Sequence, residues 1–128
     1  MSDNGGPTDH NASWNGPLKG KKGSLWEGGV RVPFFLQWLE QIAPSQEIEE
    51  PVISLDLLPT FGKAAGIKHM IQSDGINLWP YLSGNGKTLP ERNFFWRRGG
   101  MTNCAYRKGK FKWIENRRTG EEWLYAIN

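Results

Sequence analysis

Cysteine is almost missing from this 128-residue chain: Cys104 stands alone, which excludes an internal disulfide and leaves the redox compartment unmarked. Long apolar runs are missing as well, and nothing approaches the roughly 20 residues that a membrane-spanning helix needs. Met1 is followed at once by Ser-Asp-Asn-Gly-Gly, without the charged and apolar zones of a secretory leader. No internal repeat is visible. Histidine occurs twice, so general acid-base work by imidazole would rest on His10 or His69 alone.

Glycine and proline are plentiful instead. Gly 16 and Pro 8 make up nearly a fifth of the chain, which predicts many turns and loops around one core. At this length folding removes roughly two-thirds of the unfolded chain's surface from water. The net charge of +3 is unevenly spread: residues 91–118 carry nine Lys/Arg against Glu91 and Glu115, whereas residues 34–90 carry three against six acids. A basic stretch of this kind reads first as a solvated sheet face and second as an attractor of anionic partners.

In chain order, residues 1–7 read as a strand end passing into a loop, and residues 5–24 as a Gly-, Asn- and Lys-rich loop. Val30 to Trp38 carries a buried-strand signal that Pro33 interrupts. Ser54 to Gly66 has Leu57, Leu58, Phe61 and Ala64 at helical spacing, with Ser54 or Asp56 to cap it and Gly66 to stop it. Gly75–Leu82 reads as a short helix or turn, residues 84–87 as a loop and Phe94–Arg97 as a strand. Cys104–Ile114 reads as a hairpin turning at Lys108-Gly109. Beyond that turn, Phe111 and Trp113 share one face and Lys110 and Lys112 the other, which predicts aromatics inward and lysines in solvent. Glu122–Tyr125 adds a further strand. The order strand, loop, strand, helix, several strands predicts the end of an α/β domain followed by a small antiparallel sheet, with a boundary at residues 83–92.

Two stretches carry chemistry. Asp3-Asn4 offers a carboxylate and an amide carbonyl, hard oxygen donors suited to calcium or magnesium, although without context Asp-Asn-Gly-Gly reads as a turn. The stretch Pro17-Leu18-Lys19-Gly20-Lys21-Lys22-Gly23-Ser24-Leu25-Trp26-Glu27-Gly28-Gly29-Val30-Arg31 places three lysines between glycines. Any of these ammonium groups can neutralise an oxygen of a tetrahedral anion, and chemistry alone does not rank them. Glu27 and Arg31, four apart across Gly28-Gly29, read as an ion pair bracing that corner, and Trp26 as packing.

These two stretches together resemble the later part of an arylsulfatase-type sulfatase. Ser54-Leu55-Asp56-Leu57-Leu58-Pro59-Thr60, Asp74-Gly75-Ile76-Asn77-Leu78 and Tyr106-Arg107-Lys108-Gly109-Lys110-Phe111-Lys112 extend the likeness over most of the chain. The resemblance implies an alkaline-phosphatase-like α/β fold, with residues 1–85 the C-terminal part of the catalytic domain and residues 86–128 a small antiparallel sheet. It implies hydrolysis of sulfate esters, aryl sulfates or sulfated carbohydrates, with no nucleic-acid or membrane partner. Asp3 and Asn4 become ligands of a calcium ion and Lys22 the catalytic, sulfate-contacting lysine. His10 is a substrate-side candidate, Lys21 is expected to face solvent, and His69 is a surface residue. The remaining metal ligands, the catalytic histidines and the formylglycine nucleophile made from a Cys-x-Pro-x-Arg motif are expected upstream. Cys104-Ala105-Tyr106-Arg107 lacks the proline and is not that motif. Both ends therefore read as internal to a longer protein, for which the family implies a periplasmic, extracellular or lysosomal setting. Two other readings stand beside this one: a phosphatase or phosphodiesterase of the same superfamily, and a basic anion- or polysaccharide-binding module.

Overall fold

The structure, a computed structural model, describes residues 1–68, 72–84, 88–100 and 102–127. His69 and residues 85–87 lie outside that set. The chain forms two compact units, one of residues 1–35 with 91–128 and one of residues 36–90. Residues 1–35 thus group with the sheet and not with residues 36–90.

The first unit is built on four antiparallel strands in sequential order: β1 Asn93–Arg98, β2 Asn103–Lys108, β3 Phe111–Asn116 and β4 Glu121–Ala126. The β2–β3 turn is Gly109-Lys110, with Lys108 paired to Phe111 and Gly109 at φ 53°. That is one residue later than the sequence predicts, with glycine at the first central position, where a two-residue hairpin favours it. Among the described residues the one other regular element here is α1, Glu27–Val30.

The alternation along β3 is present, but its polarity is the reverse of the expectation. Lys112 and Ile114 are buried, while Phe111 is about half exposed. Registry extends this across the sheet. The inner rows run Phe94, Arg107, Lys112, Tyr125 and Trp96, Ala105, Ile114, Trp123, and the outer face carries the row Phe95, Tyr106, Trp113, Leu124. Leu25, Ala105 and Ile114 form the core, with Trp26, Trp96, Trp123 and Tyr125 against it. Each fully buried aliphatic side chain of this kind contributes about 1.5–3 kcal/mol. The lysine faces inward because it has a partner there, described below.

Residues 31–38 form no strand. Phe35 is 85% exposed, and a single hydrogen bond, Ser2 N–H to the Pro33 carbonyl at 3.1 Å, joins this stretch to residues 1–7. Pro33 has no N–H to give a ladder, which accounts for the failure of the apolar signal. Among the described residues of 1–85 there is no strand, so the expected strand-loop-strand-helix order is not formed; the antiparallel sheet near the C-terminus is.

In the second unit, a 3₁₀ turn over Ser54–Asp56 leads into α2, Leu57–Ala64, with Pro59 in its first turn. The Gly66 N–H bonds the Lys63 carbonyl and the Ile67 N–H reaches the Gly62 carbonyl, the paired closure expected of a glycine stop. Asp56 is fully buried, its carboxylate accepting from the Ile53 N–H at 3.0 Å and the Ile76 N–H at 2.9 Å. Thr60 Oγ accepts from the Leu78 N–H at 2.8 Å. Asp56 and Thr60 thus fasten residues 76–78 to the helix, and α3, Trp79–Leu82, follows with Pro80 near its start.

Candidate functional site

The lysine loop folds back onto the first residues of the chain. The Gly5 N–H donates to the Gly29 carbonyl at 3.0 Å and the Lys22 N–H to the Gly6 carbonyl at 3.1 Å. Asn15 is the rivet between the two: its Oδ1 accepts from the Gly6 N–H at 2.8 Å, and its Nδ2 donates to the carbonyls of Gly6 at 3.1 Å and Gly20 at 3.2 Å. Gly5 lies so close that a Cβ there would run into the Gly28 carbonyl, which only glycine avoids. Nothing in the sequence marks Asn15, because one more asparagine in a polar loop carries no signal.

The three lysines separate by their partners. Lys19 Nζ sits 3.8 Å from the centroid of the Trp26 ring, a cation–π contact. Lys21 is not simply turned to solvent as expected: its ammonium pairs with Asp9, whose carboxyl it holds below the usual range chiefly through that hydrogen bond. The ammonium of Lys22, an exposed residue, has no hydrogen bond or ion pair among the described residues. Gly23 beside it has φ 83°, and a Cβ there would lie 3.0 Å from Nη2 of Arg98, so a β1 guanidinium stands next to the loop. His10 is in the turn that follows Pro7, 80% exposed at its side chain, with Nε2 3.6 Å from the Asp9 carboxylate.

Asp3 is exposed, Asn4 is partly buried, and the Asn4 Nδ2 donates to Asp3 Oδ2 at 2.6 Å. That leaves the Asn4 carbonyl oxygen and the second Asp3 oxygen as donors. Both are hard oxygens of the type calcium takes, and they supply two of the six or more that it needs. Among the described residues no group of three or more His, Cys, Asp or Glu side chains is arranged to hold a metal ion. The pair therefore fits part of a calcium shell by donor chemistry.

Glu27 does not pair with Arg31, contrary to the expectation from spacing. Its carboxylate takes the ammonium of Lys112, Nζ to Oε1 at 2.6 Å, with the lysine side chain at zero exposure. The Trp96 ring lies 4.7 Å from the same ammonium. Burial pushes the Lys112 ammonium below its usual range and the Glu27 hydrogen bond pulls it back up. Trp26 packs as expected, with Trp123 and Tyr125 each at 5.3 Å between ring centroids. A cleft of about 650 Å³ opens beside these rings, lined by Lys19, Trp26, Arg31, Trp123 and Tyr125 among others; Asp3, Asn4, His10 and Lys22 do not line it. The Tyr125 hydroxyl is buried with no hydrogen-bond partner among the described residues, and burial, with the charge of Glu27, pushes it up to about 12.

Similar proteins agree on one family. Steryl-sulfatase of Rattus norvegicus is 41% identical over 73 residues, covering 56% of this chain and 13% of its own length. Arylsulfatase A of Bos taurus is 40% identical over 105 residues, 77% of this chain and 20% of its own. A sulfatase of Formosa agariphila is 34% identical over 104 residues, 74% and 18% respectively. The chain thus spans a fifth or less of the length of these relatives. The sulfatase family profile matches residues 1–67, more than half of the chain and the part that holds the Asp-Asn pair and the lysine loop, and the chain belongs to the sulfatase family.

Proposed function

We propose that these residues are the C-terminal portion of a sulfatase with an alkaline-phosphatase-like catalytic domain, hydrolysing sulfate esters with Lys22 as the cationic contact to the sulfate. The observation that carries this reading is the sorting of the lysines: Lys19 is held over Trp26, Lys21 is held by Asp9, and Lys22 alone of the three keeps its ammonium available. In this role the ammonium donates to a sulfate oxygen and stabilises its negative charge as the ester bond breaks, from a loop whose backbone is already fixed. Asp3 and Asn4 would hold calcium together with oxygen ligands from elsewhere in the protein. When bound, that ion draws charge from the sulfate oxygens. His10, on the same loop and nearly free in solvent, is available to the alcohol portion of the substrate.

The formylglycine nucleophile implied by the resemblance is expected outside these residues. Cys104, placed in β2 between Arg97 and Glu115, is a strand residue in this account. The 128-residue chain by itself is accordingly expected to be inactive. The test uses the full-length protein with calcium, an aryl sulfate and the matching aryl phosphate. Sulfate ester hydrolysis that falls about 100-fold or more in Lys22→Ala is expected. Hydrolysis of the phosphate ester in preference to the sulfate, or turnover by the 128-residue chain above its Lys22→Ala control, contradicts the proposal.

A further inference from the structure

We propose that Lys112 is a positioning residue for the Lys22 contact, acting through Glu27 from the opposite end of the chain. This rests on the reading of Lys22 as the sulfate contact and extends it to a residue that touches no substrate.

The path is short and made of direct contacts. Lys112 Nζ meets Glu27 Oε1 at 2.6 Å across 85 positions of sequence. Glu27 opens α1, and the next two residues are the support for both halves of the candidate site. The Gly28 N–H donates to the Lys19 carbonyl at 2.8 Å, which ties the corner to the lysine loop. The Gly29 carbonyl accepts from the Gly5 N–H at 3.0 Å, and Gly5 packs directly on the Gly28 carbonyl, which ties the same corner to the Asp3-Asn4 stretch. The Lys22 N–H to Gly6 carbonyl bond closes the circuit. A displacement of the Glu27 carboxylate therefore moves the supports of Lys22 and of Asp3-Asn4 together.

The chemistry of the pair points the same way. Two charges taken out of water recover little net stability, and well-packed apolar residues of similar volume often serve as well for stability alone. What a buried ammonium–carboxylate contact adds is a single geometry. Here the Trp96 face closes one side of the ammonium, and Lys112 is held on the inner face of β3 by its registry with Arg107 and Tyr125. The sheet thereby becomes a fixed base for the loop.

The experiment measures aryl sulfate kcat and KM for the full-length protein and its Lys22→Ala, Lys112→Met, Lys22→Ala/Lys112→Met and Glu27→Met/Lys112→Met variants, well below each melting temperature. Lys112→Met is expected to lower kcat/KM by roughly 10- to 100-fold, the effect of misplacing a contact by about an ångström. In the Lys22→Ala background the same change is expected to cost no more than about threefold, because groups acting as one unit are not additive. Glu27→Met/Lys112→Met is expected to regain most of the melting temperature and little of the kcat/KM. Wild-type kinetics in Lys112→Met, an equal loss in both backgrounds, or joint recovery of stability and rate in the paired variant overturns the proposal. If Lys22→Ala itself keeps wild-type kinetics, the sulfate-contact reading fails on its own, whatever Lys112 does.

Discussion

Among the described residues each compact unit has a fully buried ionisable side chain that joins sequence-distant segments, and the contacts it makes differ in kind. In residues 36–90, Asp56 turns its carboxylate to two backbone N–H groups, of Ile53 and Ile76. In the unit containing the sheet, Lys112 turns its ammonium to another side chain, that of Glu27. Backbone amides carry only partial charge and would otherwise be orphaned, so the Asp56 arrangement satisfies groups that must be satisfied somewhere. The Lys112 arrangement introduces two full charges that an apolar pair could replace. The first serves the local fold; the second is understandable when the position of the Glu27 corner matters.

That contrast predicts different responses to mutation. The largest effect is expected at the charge pair: Lys112→Met alone leaves Glu27 buried and unpaired and should cost about 3–5 kcal/mol in urea unfolding of the full-length protein. Glu27→Met/Lys112→Met should recover most of it. A paired variant as unstable as the single one would remove the distinction between the two anchors.

Asp56→Ala should cost roughly 1–3 kcal/mol, because two part-buried amides lose an acceptor. Asp56→Asn, which keeps one acceptor oxygen, should cost about half as much.

The smallest effect concerns Tyr125. Its hydroxyl is buried with no hydrogen-bond partner among the described residues, so Tyr125→Phe should leave stability unchanged or raise it by about 1 kcal/mol. Its pH signature has a defined sign. The folded protein keeps the phenol proton up to about 12, whereas the unfolded chain loses it near 10. Between those values the unfolded state binds fewer protons, so stability is intact below pH 10 and falls as pH rises toward 12. Chemical denaturation across that interval should show a shallower decline in Tyr125→Phe.

Local signals in the sequence were read well where local physics decides. The helix through Leu57–Ala64 and its stop at Gly66, the Cys104–Ile114 hairpin and the strand containing Trp123 all follow from spacing and turn residues. Long-range partners were not legible. Within β3, Lys112 alternates with Phe111 and Trp113 as spacing predicts, but Lys110 lies in the turn with its ammonium 5.5 Å from the Phe111 ring, and the partner that Lys112 meets on the buried face, Glu27, is 85 positions away. The apolar run at residues 30–38 failed because Pro33 denies it a ladder. At the site, the family resemblance singled out Lys22 without a physical reason; the partners of Lys19 and Lys21 supply one. Asn15 and Arg98 were invisible because their importance lies in what folds against them.

If one of three neighbouring lysines meets the sulfate, a lysine scan of the full-length protein singles it out. Aryl sulfate kcat/KM is expected to fall about 100-fold or more in Lys22→Ala. It should change by only about twofold in Lys21→Ala, as for an exposed side chain outside the site. A larger loss at Lys21 than at Lys22, or equal losses at both, would contradict the account.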